Sequence, residues 1–202
     1  MRRNMLLAAL VFLSLASAHA QVSFYVTSSS TRFSNVDSGE IVTYETTGNV
    51  AEEQYDNFWT SGIGGGASLR CLSLGGVKLS LDFRGSTQPG TPGADTALGG
   101  LKLGIKPPYF KLQPYIQASG GYLGTRTVNE NSTGIYPYPS VGGTLTNHYA
   151  GWEILGGVDY PLIRFFDLRL LEVGAGRGYD ILSTSAPSIT VLTVNSGLVF
   201  HF

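Results

Sequence analysis

Few side chains in this 202-residue sequence could do acid–base or nucleophilic chemistry, and their spacing assembles no site. There are three histidines, His19, His148 and His201, and one cysteine, Cys71. A lone thiol forms neither an intramolecular disulfide nor a multi-cysteine metal cluster, so Cys71 reads as a small apolar wall residue. His148 is the only credible general base. Many Ser and Thr residues surround it in the chain, yet no spacing specifies a nucleophile–base–acid triad. His201 reads as a rim or lumen histidine. Gly174-Ala175-Gly176-Arg177-Gly178 and Gly62-Ile63-Gly64-Gly65-Gly66 lack the Lys-Ser/Thr ending and following helix of a phosphate loop, and read as strand glycines. Asn131-Ser132-Thr133 fits a glycosylation sequon to which we assign no role. No catalytic residue, cofactor or metal is expected.

The chemically informative residues are instead a set of charges of both signs: Lys78, Asp82, Arg84, Lys102, Lys111, Glu153, Asp159, Arg169 and Glu172. Their neighbours explain why. In Val77-Lys78-Leu79-Ser80-Leu81-Asp82-Phe83-Arg84 apolar and polar residues alternate strictly, which in a pleated strand sends the two sets to opposite faces. Leu101, Leu103 and Ile105 alternate with Lys102 and Lys106, and Phe110, Leu112 and Ile116 with Lys111, Gln113 and Gln117. Trp152, Ile154, Val158 and Tyr160 oppose Glu153 and Asp159, while Phe166, Leu168 and Leu170 oppose Asp167 and Arg169. Glu172 would fall on the apolar face if this continued, so a bulge or an end to the apolar stretch is expected near it.

No segment shows a sustained helical stripe. Charged residues make up only 13% and aromatics 11%, with 27 glycines, a balance that suits closely approaching strands. A net charge of −1 gives no attraction to nucleic acid. Eight strands are predicted, at roughly 22–34, 59–72, 77–86, 95–106, 109–127, 147–161, 164–180 and 189–202. Short links (73–76, 107–108, 161–164) alternate with longer ones rich in Gly, Pro, Ser, Thr and Asn (35–57, 85–94, 128–146, 183–187), the asymmetry of an up-and-down membrane barrel with short periplasmic turns and longer outer loops. Residues 1–20 read as a cleaved signal peptide, with basic Arg2 and Arg3, an apolar Met5–Leu15 and a small-x-small site at Ala18-His19-Ala20; residues 21–202 would form the barrel.

Alternation alone leaves two barrels open. A soluble lipocalin-like barrel would turn its apolar face inward around a ligand, and a membrane barrel outward to lipid. Segment length, loop asymmetry and the outward candidates Trp152, Tyr160 and Phe166 favour the second. The charges then line a lumen that, in an eight-stranded barrel, side chains just fill, and can pair across it.

At the C-terminus Val194, Leu198, Phe200 and Phe202 share one face. Here the chain resembles the bacterial outer-membrane β-barrel family, whose last strand ends on an aromatic residue and is read by the barrel-assembly machinery. In general architecture it resembles the outer-membrane protein A-like transmembrane barrel class. That resemblance implies an exported, lipid-embedded, eight-stranded up-and-down antiparallel barrel of structural or interaction type. Outer-membrane lipid and the assembly machinery are its expected partners. Its outer loops would be open to an extracellular partner, with Tyr136 and Tyr138, held by prolines, as possible contacts. A narrow porin-like channel, a soluble periplasmic ligand-binding barrel and a lipid A-modifying enzyme are the alternatives.

Overall fold

The computed structural model describes residues 21–45, 48–129, 143–181 and 188–202, and side chains within 21–37, 55–127, 144–181 and 188–202. Eight strands run β1 Val22–Glu45, β2 Gly48–Leu74, β3 Val77–Gln88, β4 Gly93–Ile105, β5 Gln113–Asn129, β6 Gly143–Ile163, β7 Phe166–Asp180 and β8 Ile189–His201. Each pairs antiparallel with the next, and β8 pairs with β1 from Ser23↔His201 to Ser34↔Thr190, closing the barrel. Closure satisfies every wall strand on both edges, which a chain in hydrocarbon requires because no water is there to bond a free N–H or C=O.

The alternating residues divide as a membrane barrel demands. Phe83 is 63% exposed and the adjacent Asp82 is fully buried. Leu81, Leu101, Leu103, Ile116, Ile154, Val173 and Leu198 are likewise exposed, whereas Gln117, Glu153, Arg169 and Asn195 are buried inside. Leu79 and Phe200 share the outward faces of β3 and β8. On β7 a bulge falls where the alternation breaks: Arg169 pairs with Gly197 and Glu172 with Asn195, so Leu170 and Leu171 both stand outside and Glu172 turns inward. The extra residue thus keeps a carboxylate out of the lipid.

The start of β1, the end of β8 and the tight links, such as Gly75-Gly76 with its left-handed φ values of 57° and 90°, lie at one end of the barrel, the turn end. At the opposite, loop end the structure corrects the expected loops. Residues 35–45 and 48–57, expected as loop, are strand: β1 and β2 stay paired from Val36↔Asp56 to Glu45↔Gly48, well past the point where β1 leaves β8. Asn35 takes a left-handed φ of 62° within the first of two register shifts, Phe33/Val36 and Asp37/Gly39, and this bends β1. The bend carries Asp37 across the mouth, where its carbonyl oxygen accepts from Asn147 Nδ2 at 2.7 Å and Thr127 Oγ1 at 3.4 Å, on β6 and β5. Strands also shorten the links expected at 85–94 and 128–146. The segment 183–187, with Tyr136 and Tyr138, lies outside the described residues.

A second correction concerns β5. Its expected start at residue 109 is delayed to Gln113, because Pro107 and Pro108 cannot donate to a ladder. Lys111 is therefore an exposed residue of the β4–β5 link rather than a lumen residue.

Candidate functional site

The lumen holds two layers of side chains. The lower is ionic and hydrogen-bonded. Asp82 and Arg84 come from β3, Lys102 from β4, Asp159 from β6, and Arg169 and Glu172 from β7, all inward by strand parity. Glu172 is the hub. Its carboxylate accepts from Arg84 Nη1 at 2.8 Å and Nη2 at 3.2 Å, Arg169 Nη1 at 3.2 Å, Asn195 Nδ2 at 2.7 Å and the Tyr115 hydroxyl at 2.5 Å. Arg84 also donates to Gln117 Oε1 at 2.8 Å and Asp82 Oδ1 at 3.3 Å, and Arg169 to Asp159 Oδ1 at 3.1 Å. Lys102 closes the chain on Asp159 Oδ2 at 3.2 Å. Arg84, Arg169 and Lys102 thus offset Asp82, Asp159 and Glu172, so the group is neutral. Charges at this depth persist because each ion is both paired and hydrogen-bonded.

Two tyrosines complete the layer, and the sequence reading did not place them in the lumen. Tyr25 donates to Asp82 at 2.8 Å, and its ring lies 4.4 Å under the Arg169 guanidinium. The Tyr115 ring lies 3.6 Å from Lys102 Nζ. Aromatics in such a chain invite assignment to the lipid interface. Their signal is parity: Tyr25 falls in step with Ser23, Thr27 and Ser29, and Tyr115 with Gln113 and Gln117. Small residues opposite make the space, since a Cβ at Gly157 would lie 2.5 Å from Tyr115 Cζ and one at Gly66 2.5 Å from the Tyr25 hydroxyl.

The upper layer holds an apolar cluster beside buried Thr31, Gln88, Thr125 and Thr127, and the sequence reading of a wholly polar lumen missed that cluster. Phe33, Val36, Ala94, Leu98, Leu123, Tyr149, Ile189 and Val191 form one buried cluster inside the loop end, with Phe58 packed 5.6 Å from Phe33. The bent β1 roofs it. Ions cross such a layer only by losing their hydration.

The remaining sequence-selected residues scatter. Glu153 is buried in the lumen without an ion-pair partner among the described residues. Lys78 lies nearer the turn end, donating to Gln113 Oε1 at 3.0 Å. Lys111 sits beyond it on a cavity of about 700 Å³ that Arg70, Lys106 and Arg164 also line. His148 faces outward on β6, its Nδ1 2.6 Å from the Tyr122 hydroxyl. His201 bridges Ser23 Oγ and Asp167 Oδ2, each at 2.7 Å, on β1 and β7. These are the residue types of a nucleophilic relay, which sequence spacing did not reveal, but Ser23 is buried on the lumen side of β1. Val194, Leu198, Phe200 and Phe202 follow the outward parity of β8, Phe202 packing edge-on to Phe24 at 5.9 Å and Phe200 to Phe166 at 4.9 Å.

No protein-family model matches the sequence, and no curated protein matches it significantly. Solved structures resemble its fold. The attachment invasion locus protein Ail of Yersinia pestis is 9% identical with a TM-score of 0.47, over 91% of this chain and 99% of that one. Neisserial surface protein A is 14% identical with a TM-score of 0.43, over 89% and 97%. The outer membrane protein OprG from Pseudomonas aeruginosa is 10% identical with a TM-score of 0.39, over 89% and 95%. With its apolar wall outside and its ion pairs within, the chain is an eight-stranded, up-and-down antiparallel transmembrane β-barrel resembling the small outer-membrane barrel class.

Proposed function

We propose that this protein is a non-conducting bacterial outer-membrane barrel of structural or interaction type, exported by a cleaved signal peptide at residues 1–20. It carries no catalytic role in this reading. The turn end would face the periplasm, and the final strand, with Val194, Leu198, Phe200 and Phe202 outward, would present the signal that the assembly machinery reads. What supports a structural rather than a conducting role is the double seal: a neutral ionic layer and, above it, an apolar one roofed by β1. The paired β1–β2 extension beyond the wall is the natural platform for an extracellular partner.

The test is electrical. Purified protein refolded into planar bilayers is expected to give no current steps above the bare membrane; reproducible unitary openings would favour the narrow-channel alternative. Fractionation should place the protein in the outer membrane with heat-modifiable gel migration, and recovery from soluble periplasm would remove the membrane reading altogether.

A further inference from the structure

The chain has two tryptophans, Trp59 and Trp152, and each stands directly across a strand pair from an arginine: Arg32↔Trp59 between β1 and β2, and Trp152↔Arg177 between β6 and β7. All four side chains are exposed on the outward face. Only β8 separates the two arginines, since Arg32 pairs with Leu192 and Arg177 with Thr190. Around the wall the order is therefore Trp, Arg, β8, Arg, Trp. Neither guanidinium has an ion-pair or hydrogen-bond partner among the described residues, and neither stacks on its neighbouring indole. The other outward wall arginine, Arg126, differs, being held by Asp95 at 3.0 Å.

Height makes these two unusual. Arg32 stands about 10 positions above Val22, which at a strand rise of about 3.3 Å and a tilt of about 40° is about 25 Å from the turn end, the height of a barrel's apolar band. Arg177 lies at a similar height above Phe166. Both are thus at the loop-side interface, where indoles settle and where lipid phosphates are the nearest anions. Below Arg32 the wall departs from the apolar rule. Ser28 and Ser30 point outward beside Ser196 and Ser61, with Ser61 Oγ 3.1 Å from Ser30 Oγ. Plain acyl chains offer no acceptor to Ser28, Ser196 or the Ser30 hydroxyl that takes the Ser61 bond, whereas the ester and amide carbonyls at the head of an acylated sugar would accept from them.

We propose that Arg32 and Arg177 clamp the phosphate groups of an outer-leaflet phosphoglycolipid. Trp59 and Trp152 bracket its sugar, the serine stripe meets its acyl linkages, and its chains lie below that stripe on Val26 and Leu198. A guanidinium can grip a phosphate with two parallel N–H donors, which a bare acyl surface cannot reciprocate. The proposal rests on the outer-membrane reading above, because that fixes which leaflet the loop end meets.

The tryptophans report the site directly. Full-length protein, refolded in non-ionic detergent and checked for heat-modifiable migration, is titrated with a bisphosphorylated, hexa-acylated diglucosamine lipid while intrinsic fluorescence is followed. We expect one saturable transition per barrel, about 10- to 100-fold weaker in R32Q/R177Q. The same lipid stripped of its phosphates should give no saturable transition, and free inorganic phosphate should not compete at millimolar concentration. Lys106→Gln/Lys111→Gln, which removes two cations from the opposite end, should bind as the parent does; R32K/R177K, which folds with its charge intact, should lie between parent and R32Q/R177Q. Equal binding by the dephosphorylated lipid, equal loss in the Lys106/Lys111 variant, competition by inorganic phosphate, or a dimer that buries both indoles without lipid would each overturn the site. Failure to obtain any heat-modifiable form would instead count against the membrane reading on which it rests.

Discussion

Replacing Glu172 by Gln removes one negative charge and almost no volume from the hub of the lumen. Five contacts converge on that carboxylate, three of them from Arg84 and Arg169. Without it, Arg84, Arg169 and Lys102 face only Asp82 and Asp159, leaving one buried positive charge uncompensated. Breaking a buried ionic group by removing one partner costs about 3–5 kcal/mol, against at most about 1 kcal/mol for a solvated pair. Urea unfolding in lipid vesicles, followed by the fluorescence of Trp59 and Trp152 and by gel migration, separates these values. Adding Arg84→Gln restores neutrality, so the double variant should be more stable than the sum of its parts by about 2 kcal/mol or more. A Glu172→Gln loss under about 1 kcal/mol, or strict additivity with Arg84→Gln, would mean that water rather than protein solvates these charges.

Other substitutions probe the remaining layers. Gly157→Val should displace the Tyr115 ring, 2.5 Å from the new Cβ, and cost about 1–3 kcal/mol in the same assay; a neutral outcome would mean that the ring is not held there. Phe33→Ala should remove about 3–5 kcal/mol by emptying the apolar layer, while leaving bilayer conductance at background because the ionic layer still closes the lumen. Leu81→Arg, on the lipid face, should cost about 2–4 kcal/mol, whereas a change near zero would place that face in water. A fluorophosphonate probe is expected to leave Ser23 unlabelled, and labelling lost in Ser23→Ala would instead make the Ser23–His201–Asp167 chain a working nucleophilic relay.

Strand parity carried most of what the sequence revealed. Where polar and apolar residues alternate one by one, as from Val77 to Arg84, the face of each side chain is fixed, and six of the selected charges meet in one network. The break at Glu172 pointed to a bulge or an end of the apolar stretch, because a carboxylate cannot follow Phe166, Leu168 and Leu170 into lipid, and the structure has the bulge. Composition misleads where side chains are ambivalent. Tyr25 and Tyr115 suit a lumen or an interface equally by type; their step with Ser23, Thr27, Gln113 and Gln117 points inward, and the glycines opposite them, distant in the chain, make the room. Inward Phe33, Leu98, Leu123 and Val191 were likewise hidden, because apolar residues inside a polar lumen obey no local rule. Residues 35–57 looked like a loop because Asn35, Asp37, Ser38 and Gly39 are turn formers; here they bend a strand without ending it. Lys111 continued an alternation that two prolines had already cut off from the ladder.

The orientation of the wall can be measured from a single position. In a Trp59→Phe/Trp152→Phe background, Phe83→Trp places one indole in the middle of the outward face of β3. Refolded into vesicles whose acyl chains carry bromine, that indole should be strongly quenched by the lipid and barely touched by aqueous acrylamide. Emission indifferent to bromine and open to acrylamide would contradict the transmembrane barrel.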